Sequence, residues 1–204
     1  SILDAKEIEI ERGVILQEIG QSLDTPDDVI FDWLHEIAYP NQALGRSILG
    51  PSAQITGVQR KDLVTFISQH YSPDRMILAA AGAVDHDQLV RMAEASFGAV
   101  AKITSDGFMP ARFQAGDLRR EKKLEQAHIA LAFESPNYLD KQIHTAQIYA
   151  LALGGGMSSR LFQKIRENLG LCYTIFAQAG AYSDTGMTTI YAGTSAEQLP
   201  DLAT

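Results

Sequence analysis

Short apolar runs of strand length alternate along this chain with longer segments of helical periodicity. The apolar runs occupy residues 75–82, 127–133, 172–179 and 187–192. Nearly continuous apolar runs of this length, bounded by turn-forming residues, are typical of buried strands. The sequence therefore predicts four strands set among helices.

Helical periodicity fills much of the sequence between these runs. Pro26 followed by Asp27 and Asp28 suits the start of a helix, Pro40 ends that helix, and Asp85 is a favourable N-cap for a later one. Residues 41–55 are rich in Gly, Pro, Ser and Gln and are predicted to form a loop. The predicted helices cover residues 5–20, 28–38, 56–71, 85–97, 141–153 and 159–169.

A change in composition between residues 102 and 122 separates two segments of the chain. Helical periodicity is lost there, and Gly107, Pro110 and Gly116 lie among charged residues, as in linkers between domains. We therefore predict a first domain over residues 1–105, a linker over residues 106–122 and a second domain over residues 123–204.

Charge and hydropathy limit the partners of the chain. The net charge is −8 and the pI is about 5.0, which argues against nucleic-acid binding and suits a cationic substrate better. No apolar run approaches the roughly 20 residues of a membrane span, so no membrane partner is expected. The first residues lack a methionine and the features of a signal peptide, which is the expected start of a processed or truncated chain.

Cysteine and histidine do not form a recognisable zinc motif in this sequence. Cys172 is the single cysteine, which excludes a disulfide framework and a cysteine-rich zinc site and predicts a buried strand thiol. His35 and Glu36 share a predicted helix, but Tyr39 stands where a His-Glu-x-x-His pair requires its second histidine. The inverted motif His-x-x-Glu-His is absent from the sequence.

Two glutamates on the first predicted helix are candidates for metal binding. Glu11 and Glu18 are seven residues apart in the segment ERGVILQE, so they lie two turns apart on one helix face. One carboxylate can bind a cation while the other supports it. From spacing alone, two solvated glutamates on a helix surface are the ordinary alternative.

A glycine run precedes the last predicted helix. Gly154, Gly155 and Gly156 lack the surrounding residues of a phosphate-binding loop or a dinucleotide fingerprint. A flexible run of this kind lets an extended peptide approach the backbone closely. A nucleotide site remains the weaker reading of these residues.

Arg166 and Tyr173 flank the turn after that helix. The turn predicts that the guanidinium at the helix end lies near the tyrosine at the start of the following strand. Both side chains are hydrogen-bond donors and can hold a peptide carbonyl or stabilise an oxyanion. The alternative interpretation is that Arg166 is an ordinary surface arginine and Tyr173 a half-buried tyrosine, and that neither binds a ligand.

Taken together, these segments resemble the pitrilysin-type (M16) zinc metallopeptidases, especially the processing-peptidase branch and its bacterial relatives. The resemblance is colinear and extends over essentially the whole chain. Its blocks are residues 11–18, 31–35, 45–50, 71–76, 82–86 and 154–173.

The resemblance implies one part of a zinc site. In that family, zinc is held by the two histidines of the inverted motif and by a glutamate on a later helix. By position, Glu18 would be that third ligand and Glu11 its supporting carboxylate. The resemblance implies a zinc endopeptidase. Because the inverted motif and its general base are missing from this sequence, its Zn²⁺ site would be incomplete in this chain, and the chain alone would be inactive.

The resemblance also implies a fold, a peptide site and partners. The fold is α+β, with two related and incomplete domains of helices packed on mixed or antiparallel sheets. Gly154, Gly155 and Gly156 would contact a peptide substrate, while Arg166 and Tyr173 would bind it and support the transition state. Because Glu18 shares a chain with Arg166 and Tyr173, a homodimer is expected, with a paired subunit as the alternative. The compartment would be the bacterial cytoplasm or the mitochondrial matrix.

Three functions compete at this point. The first is an endopeptidase that cleaves short or unfolded peptides. The second is a non-catalytic relative that serves as a partner or core subunit. A nucleotide-binding module is the third.

Overall fold

The computed structural model describes residues 2–103 and 109–204. Two compact units are present: the first comprises the described parts of Ser1–Val14 and Ser52–Phe108, and the second comprises Ile15–Pro51 and Met109–Thr204. Of the predicted linker, residues 106–108, including Gly107, lie outside the described residues. The domain boundaries drawn from the sequence stay a prediction.

The helices follow the sequence pattern closely at most positions. In the described residues, none of them is long and apolar enough to cross a membrane. Short 3₁₀ turns occur at Ala43–Gly45 and Pro73–Arg75. The α-helices are α1 (Ala5–Leu23), α2 (Pro26–Ala38), α3 (Ser52–Gly57), α4 (Arg60–His70), α5 (His86–Phe97), α6 (Ile143–Gly154) and α7 (Leu199–Leu202).

Side-chain caps begin two helices of the first unit. The Asp85 carboxylate accepts a hydrogen bond from the Gln88 amide at 2.7 Å, which confirms the cap predicted for α5. The Asp62 carboxylate accepts a hydrogen bond from the Gln59 amide at 2.8 Å at the start of α4. Because α4 begins only at Arg60 and α3 begins at Ser52, the predicted loop over residues 41–55 and helix over residues 56–71 were wrong at their shared boundary.

The predicted strand over residues 75–82 is not formed. After the 3₁₀ turn Pro73–Arg75, residues 76–81 have no regular structure, and Ile77 is 96% exposed. A strand needs a neighbouring strand to accept its ladder hydrogen bonds, and the described residues of the first unit contain none. In that part of the unit, Ser72 is the single buried residue.

The second unit is built on a three-stranded antiparallel sheet. Its strands are β1 (Ala127–Ser135), β2 (Thr174–Ala181) and β3 (Gly186–Thr194), in the order β1-β3-β2. The register pairs Ala130 with Tyr191 and Tyr191 with Phe176, so these three side chains point to the same face of the sheet. The three strands predicted after residue 122 are thus confirmed, with shifts of a few residues at their ends.

Helices cover both faces of this sheet. On one face, Leu34 and Ala38 of α2 and the C-cap residue Tyr39 are buried in a cluster with Met187 of β3. Phe31 stacks on Phe176 and lies tilted against Tyr191. Alternate strand residues point to the opposite face, which is covered by α6 and by the helix that follows it. Mixed helices on a small antiparallel sheet make the fold α+β, as expected.

Candidate functional site

Arg166 is presented by an unusual helix. Residues Phe162–Asn168 form a π-helix, in which the Leu169 amide donates to the Lys164 carbonyl at 3.2 Å. Gly170 has a φ of +63°, a conformation that glycine adopts without steric cost. This glycine ends the helix and lets the chain reverse toward Tyr173.

The structure brings Arg166 and Tyr173 together. The guanidinium carbon of Arg166 lies 5.2 Å from the centre of the Tyr173 ring and 4.4 Å from the centre of the Phe162 ring. Aromatic faces attract a guanidinium at such distances, by about 0.5–1 kcal/mol at an exposed site. Phe162 therefore helps to position Arg166, a role that the sequence analysis missed although the i, i+4 spacing of the two residues indicates it.

The donors of this pair are accessible to solvent. Tyr173 is 76% exposed, and the Arg166 side chain is 31% exposed, with its nearest acidic partner Glu167 at 4.0 Å. An exposed salt bridge at this distance holds the guanidinium weakly. The N–H groups of Arg166 and the hydroxyl of Tyr173 are therefore available to a ligand that carries hydrogen-bond acceptors.

The three glycines before the π-helix differ in their surroundings. A Cβ added to Gly154 would lie 2.3 Å from the Ala177 amide nitrogen, and one added to Gly155 would lie 2.7 Å from the Leu151 Cα. Gly156 has nothing within 4 Å of the equivalent position. Gly154 and Gly155 are thus required for packing, and Gly156 has open space for a ligand.

A surface depression of about 440 Å³ is lined in part by Tyr173. The register pairs Ala127 with Thr194 and Thr174 with Gly193, so residues before β1, before β2 and after β3 meet at one end of the sheet. The depression lies at this end. Its lining includes Glu125, Gln126, Tyr173, Thr194, Ser195 and Gln198.

Glu11 and Glu18 both lie on α1, and both side chains are exposed. Between them, Arg12 donates hydrogen bonds to the Thr56 carbonyl at 3.1 Å and to the Val58 carbonyl at 2.7 Å, so this part of the motif ties α1 to the end of α3. In the described residues, no hydrogen bond or salt bridge joins Glu18 to Arg166 or Tyr173.

The carboxylates of α1 do not make a zinc site by themselves. Within residues 2–103 and 109–204, no group of three or more His, Cys, Asp or Glu is placed to hold a metal ion. Zinc in proteins takes at least three protein ligands. The described residues therefore do not fit a complete zinc site, and Glu18 can supply at most one ligand.

Cys172 and His35 of the second unit are held in contacts within the protein. Cys172 is buried just before β2, and burial raises the pKa of its thiol, opposed in part by the positive charge of Arg166. His35 lies 2.8 Å from the Phe31 carbonyl through Nδ1 and 2.8 Å from the Tyr182 hydroxyl through Nε2. Because a carbonyl only accepts, Nδ1 carries the proton, and a neutral ring then accepts from Tyr182.

Comparison with known proteins identifies the family of this chain. A family model described as the peptidase M16 inactive domain matches residues 57–204. The chain belongs to the M16 peptidase family. The resemblance on which the sequence analysis relied is therefore confirmed.

M16 relatives match nearly all of the chain. An uncharacterized zinc protease of Rickettsia felis is 40% identical over 200 residues, which cover 98% of this chain and 48% of the relative. The β subunit of the bovine mitochondrial-processing peptidase is 40% identical over 205 residues, which cover 94% of this chain and 41% of that protein. The chain thus spans about half the length of these relatives or less.

A solved structure shows the same fold. The crystal structure of a peptidase M16 inactive domain from Pseudomonas fluorescens matches with a TM-score of 0.82 and 19% identity. The match covers 95% of this chain and 48% of that one. At this identity, the comparison supports the α+β fold and carries no statement about activity.

Proposed function

We propose that this chain is the peptide-binding part of a zinc-dependent endopeptidase of the M16 family. In this proposal, Arg166 and Tyr173 bind the peptide backbone and stabilise the charge that develops on the carbonyl oxygen during cleavage. The observation that carries the proposal is the pair itself: a guanidinium 5.2 Å from the ring of a tyrosine that is 76% exposed. Two donors fixed side by side and open to solvent can converge on one acceptor oxygen.

The glycine run supports an extended peptide beside this pair. Open space at Gly156 lets a peptide backbone approach, whereas Gly154 keeps α6 close to the sheet and Gly155 packs against Leu151 of α6. The Ser159 amide donates to the Gly156 carbonyl at 3.0 Å, and the Gln163 side chain donates to the Met157 carbonyl at 2.7 Å. These bonds connect the run to the helix that carries Arg166, so a peptide at Gly156 would lie on the same chain segment as the pair.

Glu18 enters the proposal as one ligand of a zinc ion, with Glu11 as its supporting carboxylate. The exposed positions of both on α1 are compatible with such a role. The remaining ligands and the general base would come from protein outside the described residues. Zinc would activate a water for attack on the peptide, which is why we propose that this chain alone is inactive.

A paired subunit or homodimer is also part of the proposal. Large apolar side chains of the first unit are uncovered, including Ile77 at 96% exposure and Phe66 at 55%. Exposed apolar side chains of this size can be covered by further protein. The β subunit of a processing peptidase among the relatives supports a pairing of subunits, in the bacterial cytoplasm or the mitochondrial matrix.

Peptide binding by the chain tests the role of the pair. The binding of a fluorescent, arginine-containing peptide is measured by anisotropy for the wild type, Arg166→Gln and Tyr173→Phe. We expect Arg166→Gln to weaken binding about ten-fold, because a hydrogen bond from a charged donor contributes roughly 1.5–3 kcal/mol. Tyr173→Phe should weaken it several-fold.

Two substitutions serve as matched controls. Arg160→Gln removes an exposed arginine in the same segment, and Tyr138→Phe removes the hydroxyl of a tyrosine that is 55% exposed. Both controls should bind like the wild type. Equal affinity of Arg166→Gln and Arg160→Gln for the peptide would refute the proposed role of the pair and would favour the alternative, a non-catalytic partner or core subunit.

A further inference from the structure

The segment that leads into β1 exposes its backbone to solvent. Residues 115–125, the connecting segment, form no helix or strand, and all of them are exposed. Among the described residues, their backbone N–H and C=O groups make no hydrogen bond within the protein. A protease that binds a peptide as an extended strand pairs with such groups, so the connecting segment can be bound without local unfolding of the native protein.

Two of the four basic side chains in the connecting segment are anchored to the protein. The four are Arg119, Arg120, Lys122 and Lys123. The guanidinium carbon of Arg120 lies 4.4 Å from the centre of the Trp33 ring, and its Nη2 lies 3.4 Å from the Glu36 carboxylate. The Lys122 ammonium donates to the Leu23 carbonyl at 2.6 Å. Both side chains must leave these partners before another protein can bind them.

Arg119 and Lys123 are open to solvent. The Arg119 side chain is 88% exposed, and its contact with the exposed Asp117 carboxylate at 3.2 Å holds it only weakly. Lys123 is exposed and forms no salt bridge among the described residues. A serine protease specific for basic residues takes the side chain before the cleaved bond into a pocket that carries a carboxylate. Arg119 and Lys123 can enter such a pocket without breaking contacts to α1 or α2.

We propose that the connecting segment is a processing site, at which a serine protease specific for basic residues cleaves after Arg119 and after Lys123, and that the cleaved chain stays assembled. Each cleavage adds one water across a peptide bond. At the first site, the carbonyl carbon of Arg119 becomes a carboxylate and the nitrogen of Arg120 becomes an amine. The candidate zinc ligand and the peptide-binding pair would then lie on separate polypeptides of one protein.

Contacts across the processing site hold the two polypeptides together. The first polypeptide carries α2, and the second carries all three strands of the sheet. His35 Nε2 lies 2.8 Å from the Tyr182 hydroxyl, and the Tyr39 hydroxyl lies 3.2 Å from the Thr185 hydroxyl. The buried cluster that α2 forms with Met187 also joins the two parts. Because this core does not include the connecting segment, its burial is retained after cleavage.

Limited digestion with trypsin under native conditions tests the site. The early products are identified by intact mass, and we expect the first new ends to be Arg119 and Lys123. The double variant Arg119→Gln/Lys123→Gln should be cleaved in this segment about five-fold more slowly, because the remaining basic side chains must first leave their partners. The matched double variant Arg120→Gln/Lys122→Gln should be cleaved at least as fast as the wild type.

The position of the first cut and the fate of the products decide the proposal. First cuts at other exposed basic residues, such as Arg46 or Lys141, would overturn the processing site. Equal cleavage rates for the two double variants would overturn the assignment to Arg119 and Lys123. The products should elute together in size-exclusion chromatography at the volume of the intact chain, and their separation would overturn the claim that the cleaved chain stays assembled.

Discussion

Replacement of Gly154 by alanine tests whether the glycine run is structural at its first position. The new Cβ would lie 2.3 Å from the Ala177 amide nitrogen, 2.7 Å from the Ala177 Cβ and 2.9 Å from the Phe176 carbonyl carbon. Two of these atoms belong to the backbone of β2, so rotation of a side chain cannot relieve the clash. Overpacking of this kind costs about 3 kcal/mol, and the better helix propensity of alanine returns about 1 kcal/mol. We therefore expect the free energy of unfolding to fall by about 2 kcal/mol.

Urea unfolding followed by tryptophan fluorescence measures this change. Trp33 is the only tryptophan, and it lies on α2 with the Arg120 guanidinium 4.4 Å above its ring, so it reports on the second unit. For a urea dependence of about 2 kcal/mol per molar, the midpoint should fall by about 1 M. Gly156→Ala is the matched control and should change stability by no more than about 0.5 kcal/mol, because nothing lies within 4 Å of its new Cβ. Equal midpoints for Gly154→Ala and the wild type would refute the packing argument.

Two further predictions concern buried titratable groups. Burial raises the pKa of Tyr191, so the stability that it contributes is fully present below its unfolded pKa of about 10 and is lost as the pH rises further. In urea unfolding between about pH 9 and 11, the free energy of unfolding should therefore decline less steeply with pH for Tyr191→Phe than for the wild type. Equal slopes would contradict this. Burial also raises the pKa of Cys172, so a thiol reagent should label the native chain much more slowly at about pH 8 than the urea-unfolded chain; equal labelling rates would show that the thiol is exposed.

The sequence predicted local structure best where the deciding residues are close together in the chain. The cap at Asp85 depends on groups within a single turn. The helix predicted over residues 28–38 is also present and begins two residues earlier, at Pro26. The sheet residues of the second unit were also recognisable, because all three strands lie within the chain and pair with one another. Residues 75–82 have the same apolar character, yet the described residues of their unit provide no partner strand, and the run stays exposed.

At the candidate site, too, the sequence predicted the local contacts and missed those that depend on distant residues or on helix type. The meeting of Arg166 and Tyr173 was predicted from the short turn between them, and the structure places them together. The π-helical turn and the contact of Arg166 with Phe162 were missed, because periodicity alone does not distinguish a π-helix from an α-helix. The depression beside Tyr173 was also missed, since its lining residues are brought together by strand register rather than by local spacing. The roles of Glu11 and Glu18 stay a prediction.

The central claim, that Glu18 and the Arg166–Tyr173 pair belong to a zinc peptidase, is tested most directly on a longer protein that contains this chain. Zinc content and the hydrolysis of a quenched basic peptide are measured for the wild type, Glu18→Gln and the control Glu7→Gln on the same helix. We predict about one zinc per subunit and peptide cleavage for the wild type and the control, with both lost in Glu18→Gln. A wild-type protein that binds no zinc and cleaves no peptide would contradict the account and place the chain among the non-catalytic members of the family.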